Sequence, residues 1–211
     1  MPRAKQRTPE LRDRVLRVAV ALLAREGAAQ LTTRKVAERA ETSTPAVYEL
    51  FGDKAGLVRE IFFEGFRMLR RAFDGITETD DPRADLAHVM QAFRAFIREN
   101  PVLAELMFLR RFTDFDPGPS EREAGRAVRE FIVGHVQRCI DAGLFSGDAT
   151  DIAHALVALT QGLAANEVAG WLGTSKASVD RRWQLAIDAM LDGASAPQRN
   201  RAARRSTAAS T

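Results

Sequence analysis

The residues best placed to do chemistry are Thr33-Arg34 and, further on, Ser43-Thr44-Pro45-Ala46. Each group falls where a short helix should begin. A helix start leaves backbone N–H groups unpaired and carries the positive end of the peptide dipoles, so it attracts a phosphate. Arg34 adds a planar fork that matches O6 and N7 of guanine. Ser43 can cap the second helix, leaving Thr44, Pro45 and Ala46 to open it toward base edges in a major groove. This is binding chemistry, in which no covalent bond changes.

Motifs for catalysis are missing. There is no phosphate-binding glycine loop, no His-Glu-x-x-His helix and no Gly-x-Ser-x-Gly elbow. His88, His135 and His154 lack short metal-ligand spacing, and Cys139 is the single cysteine. No metal or cofactor is expected, and the chain does not read as an enzyme. One cysteine also excludes an intrachain disulfide and fits a reducing compartment. The first thirty residues are too charged for a signal peptide. The stretch 152–166 is interrupted by His154, Thr160 and Gln161 and is shorter than the roughly 20 apolar residues of a span. A cytoplasmic location is expected.

The 211 residues are 45% hydrophobic and 28% charged, an ordinary globular mixture. The net charge is only +3, yet the pI is about 9.5. Basic residues gather near the start (Arg3, Lys5, Arg7, Arg12, Arg14, Arg17) and the end (Arg199, Arg201, Arg204, Arg205). That distribution is compatible with a nucleic-acid partner without establishing one.

Helices must position these groups, because apolar residues recur at three- and four-residue spacing with no alternating strand pattern. The spacing predicts helices over 10–26 (ended by Gly27), 33–40 and 44–50, then a long one reaching 74 and capped by Asp53. In that long helix Leu57, Ile61, Phe62, Phe66, Leu69 and Phe73 wrap too far round for a surface element. It should therefore be shared by two domains. Further helices are expected over 83–99, 101–112 (opened by Asn100-Pro101), 120–142, 149–169 and 175–192. A loop at 113–119 should close on a capping box, Ser120-Glu121-Arg122-Glu123, and an exposed connector or a lid are both open readings for it. The predicted divisions are an arm at 1–9, a head at 10–52, a larger helical domain at 53–192 and a disordered tail at 193–211.

Residues 31–57, with Gly27 before them, resemble the DNA-binding domain of the TetR family. The likeness covers about residues 10–66 and rests on the Thr33-Arg34 helix start, Tyr48-x-x-Phe51 and Lys54 at fixed spacing. Small Ala37, Ala40 and Ala46 at a close helix crossing, with Val36, Val47 and Phe51 buried around it, agree with a helix-turn-helix. The resemblance implies that Tyr48 lies against the DNA backbone or a base and that Lys54 meets a phosphate. Two departures stand out. Glu41 occupies the turn position usually held by glycine, where a left-handed backbone would cost about 1 kcal/mol or more, so either the turn takes another shape or that cost is borne. Leu50 replaces the usual histidine or tyrosine and should pack.

The implied fold class is all-α: an N-terminal three-helix helix-turn-helix domain followed by a helical ligand-binding and dimerisation domain. Ile152, Leu156, Leu159 and Leu163 share one spacing, and so do Val179, Trp183, Ala186 and Met190. Either stripe could pair with a symmetry copy or build the chain's own core. The resemblance implies a dimer interface. Candidate effector-pocket residues are Met90, Phe93, Ile97, Leu106, Met107, Phe108, Phe131, His135 and Trp171, with core filling the competing reading for each. Their phenylalanine and methionine content points to an apolar or aromatic effector. The expected function is a homodimeric regulator, a repressor released from a palindromic DNA operator by a small molecule. The alternatives are a ligand-blind DNA-binding protein of the same fold and an all-α enzyme.

Overall fold

The computed structural model describes residues 8–109 and 118–195. Expectations for residues 1–7, 110–117 and 196–211, including most of the internal loop and the tail, lie outside them. Among the described residues the fold is all-α, with one isolated bridge between Phe145 and Ser195. Residues 193–195, assigned above to the tail, instead end the last helix and make this bridge.

Helix α1 (Pro9–Glu26) begins where the Thr8 hydroxyl accepts the Leu11 N–H. It stops at Gly27, whose φ of 79° is easy only for glycine. Its buried residues Leu11, Val15, Ala19 and Leu22 help it pack on α2 (Thr33–Arg39) and α4 (Lys54–Asp74). Helix α3 (Thr44–Phe51) crosses α2, and Ala37, Ala40 and Ala46 are buried as the crossing requires. Asp53 caps α4 by accepting the Gly56 N–H at 2.7 Å. A Cβ at Gly56 would stand 1.9 Å from the Phe51 carbonyl oxygen, so no other residue fits. Helix α4 touches α1 and α3 on the head side. On the other side it meets α5 (Pro82–Glu99), α7 (Pro119–Ala124) and α8 (Arg126–Asp141). It is the shared element its apolar pattern predicts.

The larger half corrects four expectations. Asn100 ends α5 rather than capping the next helix, since its side-chain amide donates to the Phe96 carbonyl at 3.0 Å. The following helix is short: α6 (Pro101–Ala104) runs into a π-helical turn at Glu105–Leu109. The helix expected over 120–142 breaks into α7 and α8 at Gly125, where a Cβ would fall 3.1 Å from the Phe66 ring. The cap of α7 is the Glu121 carboxylate, which accepts the Gly118 N–H at 2.9 Å. Ser120 donates to that same carboxylate and caps nothing. Helices α9 (Ala149–Val168) and α10 (Lys176–Gly193) complete the fold, close to their expected bounds.

Two polar clusters pin these helices. Asp85 is buried at the start of α5, where it accepts the Thr79 N–H at 2.8 Å, the Thr79 hydroxyl at 2.7 Å and Arg138 of α8 at 2.8 Å. Burial alone would raise its pKa, but these hydrogen bonds and the Arg138 charge outweigh it and hold it at about 2. The folded pKa lies below the ordinary 3.8, so the contribution is complete above that value and disappears as pH falls through about 2. Its size is on the order of 2 kcal/mol. Urea titrations at stepwise lower pH should show this acid loss, and Asp85→Asn should flatten it while lowering stability near neutrality.

The second cluster is Arg94, which donates to Glu167 at 2.8 and 2.9 Å and to Asp180 at 2.8 Å. Its guanidinium lies 4.8 Å from the centre of the Trp183 ring. Helices α5, α9 and α10 meet here. Trp183 and Leu156 are fully enclosed, so these two cannot line the dimer seam expected above. The inner stripe of α10 is Trp183, Ile187 and Leu191. Spacing alone gives a helix an apolar side but not the partner that covers it.

Candidate DNA-binding face and cavities

Thr32 caps α2, accepting the Lys35 N–H at 3.3 Å, which puts Thr33 and Arg34 in the first turn. The turn after α2 has the form of a Schellman motif: the Thr42 N–H bonds to the Ala37 carbonyl at 2.9 Å, with Glu41 between them at φ 52°. Among the described residues Glu41 is the only non-glycine at positive φ. Of the two readings open for this turn, the strained one holds. Glu41→Gly should raise stability by about 1 kcal/mol, read from the urea midpoint. It also removes a negative charge beside this face.

Ser43 caps α3, its hydroxyl accepting the Ala46 N–H at 3.3 Å. Thr44 is half-buried and Pro45 exposed, but Ala46 is turned inward at 8% exposure and cannot contact DNA. Its small size serves the helix crossing. Tyr48 is 45% exposed, and its hydroxyl accepts a hydrogen bond from the Thr33 hydroxyl at 3.2 Å. That bond ties the first turn of α2 to the exposed side of α3. Arg34 and Lys54 are exposed, while Leu50 is half-buried against the core, as anticipated. The sequence reading missed Thr32 as the cap. The only available signal was the Thr-Thr pair, which leaves the helix start ambiguous by one residue.

Among the described residues two cavities of several hundred Å³ open in the larger half. The first, of about 550 Å³, lies between α5, α6, the π-helical turn and the end of α9. Its wall includes Ile97, Pro101, Glu105, Phe108, Gln161 and Trp171. The second, of about 450 Å³, is bounded by Phe62, Phe66, Phe93, Met107, Glu121 and His154, among others. Phe108 and Gln161 line both. The Phe108 ring meets Phe66 and Phe93 edge-on, with centroids 5.9 and 5.5 Å apart. The wide turn at Glu105–Leu109 allows Glu105 and Met107 to face different cavities.

Ile97, Phe108 and Trp171 thus border the first cavity, and Phe93, Met107 and Phe108 the second. Met90, Leu106, Phe131 and His135 border neither. Met90 and Leu106 are core residues, and Met90 sulfur accepts the Thr160 hydroxyl at 3.4 Å. Phe131 stacks on Phe73 at 5.3 Å. His135 is buried with Nδ1 3.0 Å from the Phe131 carbonyl and Nε2 3.9 Å from a Glu78 oxygen. Sequence reasoning overlooked the α9 contribution, Gln161 above all, although this glutamine interrupts an apolar stretch. It also overlooked Glu121, which is buried at the second cavity and paired with Arg59 of α4 at 2.5 Å. Burial opposes the charge of Glu121, but bonds from its own backbone, Ser120, Arg59 and Gly118 keep its pKa below the usual range.

Comparison with known proteins matches the head and the larger half separately. A family model described as bacterial regulatory proteins, tetR family, matches residues 15–61. Another, described as tetracyclin repressor-like, C-terminal domain, matches residues 86–190. A solved structure of a protein of unknown function from Rhodococcus sp. RHA1 is 27% identical with a TM-score of 0.77, covering 93% of this chain and 100% of that one. A bacterial regulatory protein in the tetR family from Rhodococcus RHA1 is 19% identical, with a TM-score of 0.64 and coverage of 90% and 100%. RolR, solved in complex with resorcinol, is 17% identical with a TM-score of 0.66, covering 99% of this chain and 97% of its own. These last two likenesses speak for the fold. No curated protein matches in sequence. With a helix-turn-helix head on a repressor-like helical body, each matched by its own model, the chain belongs to the tetR family of bacterial regulatory proteins and is a DNA-binding transcription regulator, not an enzyme.

Proposed function

We propose that the protein is a homodimeric repressor that leaves a palindromic operator when a small apolar or aromatic molecule enters its larger helical domain. The observation that carries this reading is the position of the two cavities. Both have the size of small-molecule sites, about 300–1,000 Å³. Both also border an element that holds the head. Glu121 of the second cavity is ion-paired to Arg59 on α4, and α6 in the wall of the first lies on α1. A ligand that moves either wall shifts the head relative to its twin, and coupling of this type is worth about 1–3 kcal/mol. The complex of RolR with resorcinol supports an aromatic effector in this fold. A ligand-blind protein would have a filled core instead.

The proposed DNA contacts are Thr33, Arg34, Ser43, Thr44, Pro45, Tyr48 and Lys54. The proposed dimer seam uses the outer sides of α9 and α10. Ala155, Ala158 and Gly162 are exposed on α9, with Leu159 and Leu163 half-buried beside them. Leu185 of α10 is 71% exposed, and covering a side chain of this kind contributes about 1.5–3 kcal/mol. No helix among the described residues is long and apolar enough to cross a membrane, and a DNA partner supports the cytoplasmic location of this proposal. Selection of bound DNA from a random pool tests the whole reading. An inverted repeat with half-sites about 34–36 Å apart, or a multiple of that, is the expected product. Recovery of unrelated sequences would defeat it.

A further inference from the structure

We infer that the first cavity is a binding site for an organic cation with a flat aromatic body. The inference rests on the proposed function and names the ligand class. Glu105 projects from the π-helical turn into a wall that is otherwise mostly apolar. It is half-buried, and among the described residues its side chain has no ion-pair or hydrogen-bond partner. Among the described residues no basic side chain lines the cavity. The arginines on the neighbouring α5, Arg94 and Arg98, are engaged with Glu167. The described part of the wall therefore carries one uncompensated negative charge. The second cavity differs: its carboxylate, Glu121, already holds Arg59, and Arg129 and His154 stand in its wall.

Aromatic faces supply the rest. Trp171 lies at the rim at 82% exposure, displayed by the turn at Gly170, whose φ is 76°. Phe108 stands in the wall. An indole so exposed gains from being covered, and aromatic faces attract cations as well as flat rings. A carboxylate in an apolar surround favours a weakly hydrated organic cation, because such a ligand loses little hydration on entry. Gln161 and Asn166 offer neutral polar contacts, and the amide nitrogen of Asn166 already donates to the Gly162 carbonyl at 2.7 Å. An anion would meet Glu105 and find no positive partner among the described residues. Glu105 directly follows α6, which packs on α1, so an occupant here acts on the head's first helix.

Calorimetric titration of the full chain with N-methylacridinium, acridine and acridine-9-carboxylate tests the inference, above neutral pH where acridine is uncharged. The cation should bind the wild type at least about tenfold more tightly than acridine. Glu105→Gln should erase that preference while keeping acridine binding and the melting temperature. Trp171→Ala should weaken both ligands without changing the mass in sedimentation. Equal binding of acridine or its carboxylate by the wild type, a cation preference that survives Glu105→Gln, no binding at all, or a dimer split by Trp171→Ala would each overturn it. Operator release separates the two readings. Glu105-dependent binding that leaves the operator complex intact upholds the site and removes the coupling. Failure of the cation to bind, with an inverted repeat still selected, removes the site and spares the regulator.

Discussion

Replacing Arg94 with alanine should lower the stability of the larger domain by about 3–5 kcal/mol, the usual cost of stranding a buried charge. Arg94 is 7% exposed and its partner Glu167 has a side chain only 15% exposed. Removing the guanidinium leaves Glu167 with Arg98 alone, at 3.4 Å. It also uncovers the Trp183 ring, at a point where three helices meet. Urea unfolding followed by far-ultraviolet circular dichroism measures the loss. A change below about 1 kcal/mol would show that the cluster behaves like a surface pair. Because Trp183 sits inside the same cluster, substitutions there report on folding and say nothing about the dimer. Leu185→Arg, on the outer side of α10, is the proper probe of the seam.

The second large effect is expected at the head. On an operator recovered by selection, Arg34→Ala should cost about 1–3 kcal/mol and relax preference at one guanine. Lys54→Ala should weaken all sequences alike and reduce the dependence on salt by about one counterion. Tyr48→Phe separates two roles of the tyrosine, since it keeps the ring but deletes the bond from Thr33. Filter binding at several salt concentrations distinguishes these outcomes. If neither Arg34→Ala nor Lys54→Ala weakens the complex, the docking geometry is wrong.

Local chemistry is what could be read ahead of the structure. Thr8, Ser43 and Asp53 accept hydrogen bonds from backbone groups three residues away, and Gly27 stops a helix through its own φ. Such features depend on neighbours along the chain, so the amino-acid order alone determined the helices of the head and its helix-turn-helix. Periodicity likewise marked α4 as doubly covered, because an apolar arc that wide has no other stable place.

Contacts between distant segments were decided only by the tertiary structure. The stripes on α9 and α10 showed that each helix had an apolar side, but the turning of Leu156 and Trp183 toward the interior depends on where α5 and Arg94 lie. At Gly125, where the helix breaks, Phe66, far away in the chain, takes up space that a side chain would need. Core and cavity wall are built from the same apolar residues, so Met90 and Met107 look alike in sequence and differ only in what stands opposite them. A void is the space between helices rather than a property of any one of them, and for that reason neither cavity could be drawn from the sequence.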